Sequence, residues 1–321
     1  AVSNFRWRVG SLRNNCINDI TMKCLVTGGA GFIGSNLVDA LVKKGWRVIV
    51  IDNLVAGKRE HVHSDAEFHQ VDIRNLEAIK PIFHGIDYVF HLAALPRVQP
   101  SIENPILYHD VNVSGMLNVL VAARDAGVKK VVYSASSSAY GDQTEMPLHE
   151  EMKPNPMSPY ALHKYIGELK AKLFYDVYEV PTVSLRYFNV YGKRQPIEGA
   201  YTLVMGIFAR QRLSGEPLTI VGDGEQRRDY TSVVDVVRAN ILAAESDRVG
   251  KGEVINIGRG NNYSVNEVAQ MIGGPTVSLP SRLEPRETLA HNLLAKELLG
   301  WEPTVNLPEW IVGYKKELGI D

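Results

Sequence analysis

One segment constrains this chain more than any other. Residues 22–27 (MKCLVT) read as a short β-strand, which runs directly into Gly28-Gly29-Ala30-Gly31-Phe32-Ile33-Gly34 before an amphipathic stretch over 35–44. Three of these glycines meet three separate demands. Gly28 lets the chain turn sharply off the strand, Gly31 lets the backbone approach a pyrophosphate, and Gly34 lets the next helix pack close to the sheet. The helix then offers its unpaired first-turn N–H groups to phosphate oxygens. A glycine-rich turn also occurs for tightness alone, so the following strand has to decide. That strand, 47–52 (RVIVID), ends in Asp52, at the distance where a carboxylate accepts both hydroxyls of an adenosine ribose. Asn53 and Leu54 follow it, with no arginine to welcome a 2′-phosphate, which favours NAD over NADP.

From residue 22 onward, short β-rich runs (22–27, 47–52, 66–72, 87–94, 129–136, 182–188) alternate with helical stretches such as 35–44, 105–126 and 159–178. Continuous apolar strands separated by helices predict a parallel sheet covered on both faces, an α/β doubly wound fold of the Rossmann kind. After Phe188 the alternation gives way to irregular segments, until a helix beginning near Val233 and a strand over 253–258. The expected organisation has three parts. A leader, 1–21, lies outside the core fold. An NAD-binding domain spans 22–188, and 229–257 returns to it. A smaller interleaved C-terminal substrate domain takes 189–228 and 258–321. Met22, Phe32 and Trp46 read as core.

Composition narrows the partners. Lys+Arg (35) and Asp+Glu (36) nearly cancel, so the formal net charge of -1 supplies no bulk field for nucleic acid or a membrane surface. Cys16 and Cys24 are the only cysteines, too few for a disulfide-stapled secreted chain, which points to a reducing cytoplasm. No stretch reads as long and apolar enough to span a bilayer. His61, His63 and His69 lack metal-ligand spacing and read as solvated or packing residues, so no metal is expected.

The second informative segment is Ser158-Pro159-Tyr160-Ala161-Leu162-His163-Lys164. Serine suits an N-cap and proline the first helical position, so Tyr160 and Lys164 become i, i+4 neighbours on one helix face. A free phenol titrates near 10. An ammonium about 4 Å away, at an effective dielectric of about 20, favours the phenolate by roughly 4 kcal/mol, or about three pKa units. Such a tyrosine is a general base near neutral pH. Tyr-x-x-x-Lys alone is a common helical pair, and its weight comes from the serine run Ser134-Ala135-Ser136-Ser137-Ser138 at the fifth strand's end. A serine there can orient a substrate hydroxyl, although turn chemistry explains any one of them equally well.

Taken together, TGGAGFIG, the Asp52 strand end, HLAA, the serine run before AYGD, SPYALHK and LRYFNVYG stand in the order of the extended short-chain dehydrogenase/reductase family, which the chain resembles over residues 22 to 315. The resemblance implies a catalytic trio of Ser136, Tyr160 and Lys164. It also implies NAD contacts at Gly28, Gly31, Phe32, Ile33, Gly34, Asp52, Asn53, Asp72, Ile73, Leu92, Ala93, Ala94, Asn112, Tyr160, Lys164 and Tyr187. Dehydratases of the family carry Asp-Glu where Ser137 and Ser138 stand, and its decarboxylases carry Glu at the second position. Eliminating water needs an acid and a base beyond the tyrosine, which two serines cannot supply.

What remains resembles the UDP-hexose 4-epimerase branch. The expected substrate-binding residues are then Ser136, Ser137, Asn189, Ala200, Tyr201, Leu218, Ile220, Arg228, Arg282 and Thr288, with Arg286 as the alternative to Arg282 after an apparent one-residue deletion. Thr288 falls beside the sugar's C2 substituent, where a small side chain leaves room for an N-acetyl group. In the implied reaction Tyr160 takes the proton from the 4-hydroxyl and a hydride passes to NAD. The 4-keto sugar turns about its diphosphate link, and the hydride returns to the opposite face. Basic residues at Lys193–Arg194, Arg227–Arg228 and Arg282 hold the nucleotide meanwhile. The helices over 105–126 and 159–178 are where the family pairs subunits, which implies a homodimer. Open alternatives are another nucleotide-sugar oxidoreductase, a UDP-uronate epimerase, and a non-catalytic Rossmann sensor or binding protein.

Overall fold

The computed structural model describes residues 21–198, 202–281 and 284–320. Nearly all of the expected leader, together with Ala200, Tyr201 and Arg282, lies outside the described residues. Six strands appear where the apolar runs place them: β1 (Lys23–Thr27), β2 (Arg47–Asp52), β3 (Glu67–Gln70), β4 (Tyr88–His91), β5 (Lys130–Ser136) and β6 (Thr182–Tyr187). Between them lie α1 (Phe32–Lys43), α2 (Leu76–Ile79), α3 (Val98–Glu103), α4 (Pro105–His109), α5 (Gly115–Ala126) and α6 (Pro159–Tyr178). The sheet runs β3-β2-β1-β4-β5-β6, all parallel, and Lys251–Ile257 adds a seventh strand beside β6. This is the doubly wound Rossmann architecture expected from the alternation. The chain reverses its direction of winding at β1, so the carboxyl ends of β1 and β4 flank a crevice at the switch point, where such folds bind ligands.

Each face of the sheet has its own core. On one, Leu37, Val38 and Leu41 of α1 pack with Val236, Ala239 and Ala243 of the helix Val233–Glu245 and with Trp301. On the other, Met116, Val119 and Leu120 of α5 meet Ala171 and Phe174 of α6. A third cluster, from Tyr191, Phe208, Leu218, Ile220, Val268 and Leu307, lies around the strand pair Leu218–Val221 and Thr276–Leu279.

Two boundaries depart from the sequence reading for a common reason. The fourth strand ends at His91 rather than residue 94, and the helix over 105–126 is broken by a π-helical turn, Asp110–Ser114. That turn carries Asn112, whose buried side chain accepts from Leu95 N (2.8 Å) and donates to Leu95 O (2.9 Å). The wider turn and the early strand end together clamp the loop at the crevice, as π turns do at functional sites. A further correction concerns membranes. By length and mean hydropathy (1.2), Pro105–Ala126 is long and apolar enough to cross a bilayer, although 56% of that window is buried inside the fold. Packing against α6 accounts for it as a core helix.

Buried charge fixes the register of α6 on the sheet. Glu168, 2% exposed, receives Arg186 Nε at 2.8 Å and a second guanidinium nitrogen at 2.6 Å. The Arg186 guanidinium also lies 4.4 Å over the Tyr140 ring. Removing one partner strands the other charge in the interior, a penalty of about 3–5 kcal/mol. Glu168→Ala is therefore expected to lower unfolding stability by that amount in urea titrations, with Glu168→Ala/Arg186→Met recovering much of the loss.

Candidate active site

The glycine turn is built as its spacing requires, with one revision. Gly28 has φ +72, and a Cβ there would meet Ala93 N at 2.7 Å, so the β1 turn and the loop after β4 touch only through glycine. A Cβ on Gly34 would come to 2.1 Å from Gly28 O. Its smallness thus lets α1 approach the loop's own carbonyl, rather than the sheet as the sequence suggested. Gly29, not singled out from the sequence, is equally constrained, its Cβ position being 2.6 Å from Val50 Cγ1.

Helix α1 starts at N-cap Gly31 with no side-chain cap, whereas α6 has Ser158 accepting from Ala161 N at 3.1 Å. The first turn of α1, Phe32-Ile33-Gly34, therefore keeps its N–H groups for an anion. Asp52 ends β2 beside it, 8% exposed, accepting from Ala30 N (3.0 Å) and Leu54 N (2.8 Å). Burial raises the Asp52 pKa against the pull of those two N–H groups. Asn53 Nδ2 donates to Asp72 (2.9 Å), and Arg74 grips the same carboxylate at 3.0 and 2.8 Å, holding its pKa down near about 2. Ile73 is buried against the helix carrying Gly115. Leu92 and Ala93 follow β4, Leu92 N donating to Thr27 O (3.1 Å) and Ala93 N to Thr27 Oγ1 (3.3 Å), with Ala94 next along the same loop. Asn112 braces this loop through Leu95. Tyr187 is buried, its hydroxyl accepting from Ser134 Oγ and donating to Asn240 Oδ1, both at 2.9 Å.

The catalytic candidates meet at the carboxyl end of β5. Burial raises the Tyr160 pKa, and the neighbouring Ser136 hydroxyl works against that, easing ionisation of the phenol. Ser138 Oγ lies 2.9 Å from Ser136 Oγ and donates to it, and Ser137 stands between them, half-buried. Lys164 is on the same helix face but is used differently from the sequence argument. Its ammonium, 5% exposed, donates to Ser134 O at 2.7 Å and lies 5.2 Å from the Tyr133 ring centroid. Burial lowers its pKa to about 8. The cation that lowers the Tyr160 pKa is Arg97, from the turn after β4. Beneath them His91, kept neutral by burial with a pKa of about 3, pairs with Thr27 Oγ1 at 2.8 Å.

On the opposite wall, Asn189 Nδ2 donates to Asp229 O (3.2 Å) and reaches Thr288 Oγ1 (3.5 Å), which in turn accepts from Asp229 N (3.3 Å). The hub here is Asp229, fully buried and unread in the sequence because its partners are distant. It accepts from Arg259 N (2.8 Å), Gly260 N (2.8 Å), Ala290 N (3.0 Å) and Thr231 Oγ1 (3.4 Å). Arg228 is paired with Glu284 at 2.8 Å and Arg286 with Asp223 at 2.9 Å; Glu284, Asp223 and Arg286 line a cavity of about 400 Å³ together with Gln226 and Ser281. Arg227 and Arg194 turn elsewhere, to Glu267 (3.0 Å) and Asp39 (2.9 Å). Leu218 and Ile220 put their side chains into the third core rather than into that cavity. Among the described residues, no group of three or more His, Cys, Asp or Glu is placed to hold a metal ion.

Comparison with known proteins agrees with this geometry. The model of the NAD dependent epimerase/dehydratase family matches residues 24–258. A putative UDP-glucose 4-epimerase of Methanocaldococcus jannaschii is 39% identical over 295 residues, covering 89% of this chain and 95% of that protein. The crystal structure of a UDP-glucose 4-epimerase with UDP-glucose from Thermotoga maritima superposes with a TM-score of 0.88 at 41% identity, over 92% of this chain and 99% of that one. A UDP-N-acetylglucosamine 4-epimerase from Methanobrevibacter ruminantium, in complex with UDP-N-acetylmuramic acid, gives a TM-score of 0.85 at 35% identity, again over 92% and 99%.

Asp229 yields a pH signature. Its pKa is pushed up from 3.8 to about 6 because burial outweighs its hydrogen bonds. The folded protein holds this proton to higher pH than the unfolded chain does. The associated stability is therefore fully present below about 3.8 and lost as pH rises through about 6. Thermal unfolding across pH is expected to show that decline in the unsubstituted protein. In Asp229→Asn the decline disappears and an overall loss of stability remains.

Proposed function

The chain belongs to the NAD dependent epimerase/dehydratase family, and from that premise we propose that it inverts C4 of the hexose in a UDP-hexose, with NAD as a recycled cofactor. The observation that carries this reading is the corner at the end of β5. Tyr160, whose ionisation the neighbouring Ser136 eases, stands at a run of serines, where elimination chemistry would need carboxylates. The residues present also fit the cofactor. An uncapped helix N-terminus, glycines packed too tightly for any side chain, and Asp52 at the neighbouring strand end form a pyrophosphate and ribose cradle.

When bound there, NAD supplies a hydride acceptor that later gives the hydride back. The chain's own residues handle the proton and the sugar. Tyr160, as phenolate, removes the proton from the 4-hydroxyl while Ser136 orients that oxygen. Lys164 fixes the end of β5 through Ser134 O and places a positive charge under the site below a pH of about 8. The 4-keto sugar then turns about its link to the diphosphate, held by Arg228 with Asn189 beside it, and regains its proton from Tyr160. The substrates proposed are UDP-glucose and UDP-galactose together with their N-acetyl counterparts. Thr288 supports the latter, since its small side chain is drawn back onto Asn189 and Asp229 N.

The same proposal includes a cytoplasmic homodimer. Cys24 is a buried free thiol whose pKa is pushed far up, a packing residue rather than half of a disulfide. Helix α6 exposes Leu162, Leu169, Leu173 and Val177 on one face, and α5 adds Leu117. Burying such a face against a second copy is the response expected of a stable dimer.

Three measurements check these readings. Tyr160→Phe is expected to abolish turnover while UDP still binds, and assays of all four sugars in both directions should show interconversion without added NADH. A protein that interconverts none of them but consumes external NADH is not an epimerase. Leu169→Arg/Leu173→Arg is expected to halve the mass seen by light scattering; an unchanged mass removes this face from the interface.

A further inference from the structure

Residues 159–162 open α6, and each backbone donor among them is placed. Pro159 has no N–H to offer. Ala161 N donates to Ser158 Oγ at 3.1 Å and Leu162 N to Ser158 O at 2.9 Å. Tyr160 N is met from outside the helix, by Ser101 Oγ at 3.1 Å, a residue of α3 lying 59 positions earlier in the chain. Ser101 is 0% exposed, and its own hydroxyl hydrogen goes to Val98 O at 2.5 Å. A hydroxyl already committed as a donor within its own helix offers its oxygen in a fixed direction, here to the Tyr160 amide.

Ser101 closes a segment that is braced along its length. The segment starts at Ala93, whose backbone packs against Gly28 of the glycine turn. Asn112 then grips both backbone groups of Leu95, Pro96 O accepts from the Tyr108 hydroxyl at 2.7 Å, and the chain turns through Arg97 at φ 92 into α3. Its far end is the bond to the Tyr160 amide. Lys164 anchors the same helix one turn further on, through Ser134 O at 2.7 Å. That bond lies beyond the first turn, and the first turn is the one that frays in a helix. Tyr160 sits in it, so Ser101 supplies the attachment that Lys164 does not.

We propose that Ser101 is a positioning residue of the reaction: by accepting from the Tyr160 amide it locks the first turn of α6 to the loop beside the glycine turn, so that the phenol keeps one place in the cleft. This rests on reading Tyr160 as the base. Ser101 neither gives nor takes a proton during turnover. Its hydroxyl holds the backbone from which the phenol reaches the sugar, and a misplacement of the order of 1 Å at a reacting group is costly in rate.

The test is Ser101→Ala in the full-length, NAD-loaded protein, read in two ways. Amide hydrogen exchange at Tyr160, measured with no sugar nucleotide present, is expected to quicken about tenfold while Glu168 and the turns beyond it exchange as before. With UDP-galactose, kcat is expected to fall about tenfold at nearly unchanged KM, and the isotope effect with substrate deuterated at C4 should grow, because the loss falls on the aligned transfer step. Phe83→Leu, a core change in the turn that leads into β4, serves as the control for stability. It should lower Tm and leave kcat and the isotope effect where they were. An unmoved Tyr160 amide in Ser101→Ala overturns the proposal. So does a quickened amide with kcat and isotope effect unchanged, or an equal fall of kcat in Phe83→Leu. An unsubstituted protein that epimerises no UDP-hexose ends the epimerase reading instead, and the exchange measurement tells the two failures apart.

Discussion

The bond from the Lys164 ammonium to Ser134 O is the contact on which the catalytic end of the molecule depends. It ties α6 to the last turn of β5, and β5 presents Ser136, so a shift of either element would separate serine from tyrosine. Tyr160, Lys164 and Glu168 succeed one another at four-residue intervals on α6, all turned towards the sheet. Arg186 of β6 closes the series. Burying so many polar groups in one line costs desolvation energy that their pairing offsets, with one Arg186 nitrogen left without a hydrogen bond while the guanidinium lies over the Tyr140 ring. The pairing therefore specifies how α6 lies on the sheet more strictly than its apolar residues do. The lowered pKa of Lys164 and the raised pKa of Glu168 both reflect the same withdrawal of water.

The opposite wall is organised by a single carboxylate. Asp229 gathers the backbone of two separate segments, Arg259–Gly260 and Ala290, and accepts from the hydroxyl of nearby Thr231. Thr288 and Asn189 are held by its backbone groups. A loop-built site becomes rigid in this way without regular structure, because each loop surrenders a backbone group to a common acceptor. The price is the desolvation of that acceptor, visible in its raised pKa.

How far the sequence reveals all this depends on the range of the interactions. Strand, glycine turn, helix and Asp52 are local and were legible, as was the N-cap Ser158 with Pro159 behind it. The i, i+4 placement of Tyr160 and Lys164 was legible too, but the partner of the ammonium was not. Helix periodicity gives the face a side chain leaves from, and only the neighbouring strand gives the carbonyl it finds. Asp229 was hidden because its partners lie 30 and 61 positions along the chain. Arg97 was hidden because nothing in the letters LPRVQP announces a positive φ at an arginine. Leu218 and Ile220, which a motif match places at a ligand, have their side chains in a core, so any contact they make there is through the backbone.

The two ends of the cleft differ in what a ligand must displace. At the cofactor end the first turn of α1 has no side-chain cap, so an incoming pyrophosphate finds donors with no internal partner to give up. At the nucleotide-sugar end Arg228 is already satisfied by Glu284 and two backbone carbonyls, and Arg286 by Asp223. A diphosphate there exchanges one anionic partner for another, and the net gain is smaller than the contacts alone suggest. Such an asymmetry suits the proposed reaction. The cofactor ends each cycle as it began and has no reason to leave, whereas the sugar nucleotide must enter as one epimer and depart as the other. Tight anchoring at the second end would slow that departure without assisting the transition state, since binding shared equally by substrate and product does not accelerate their interconversion.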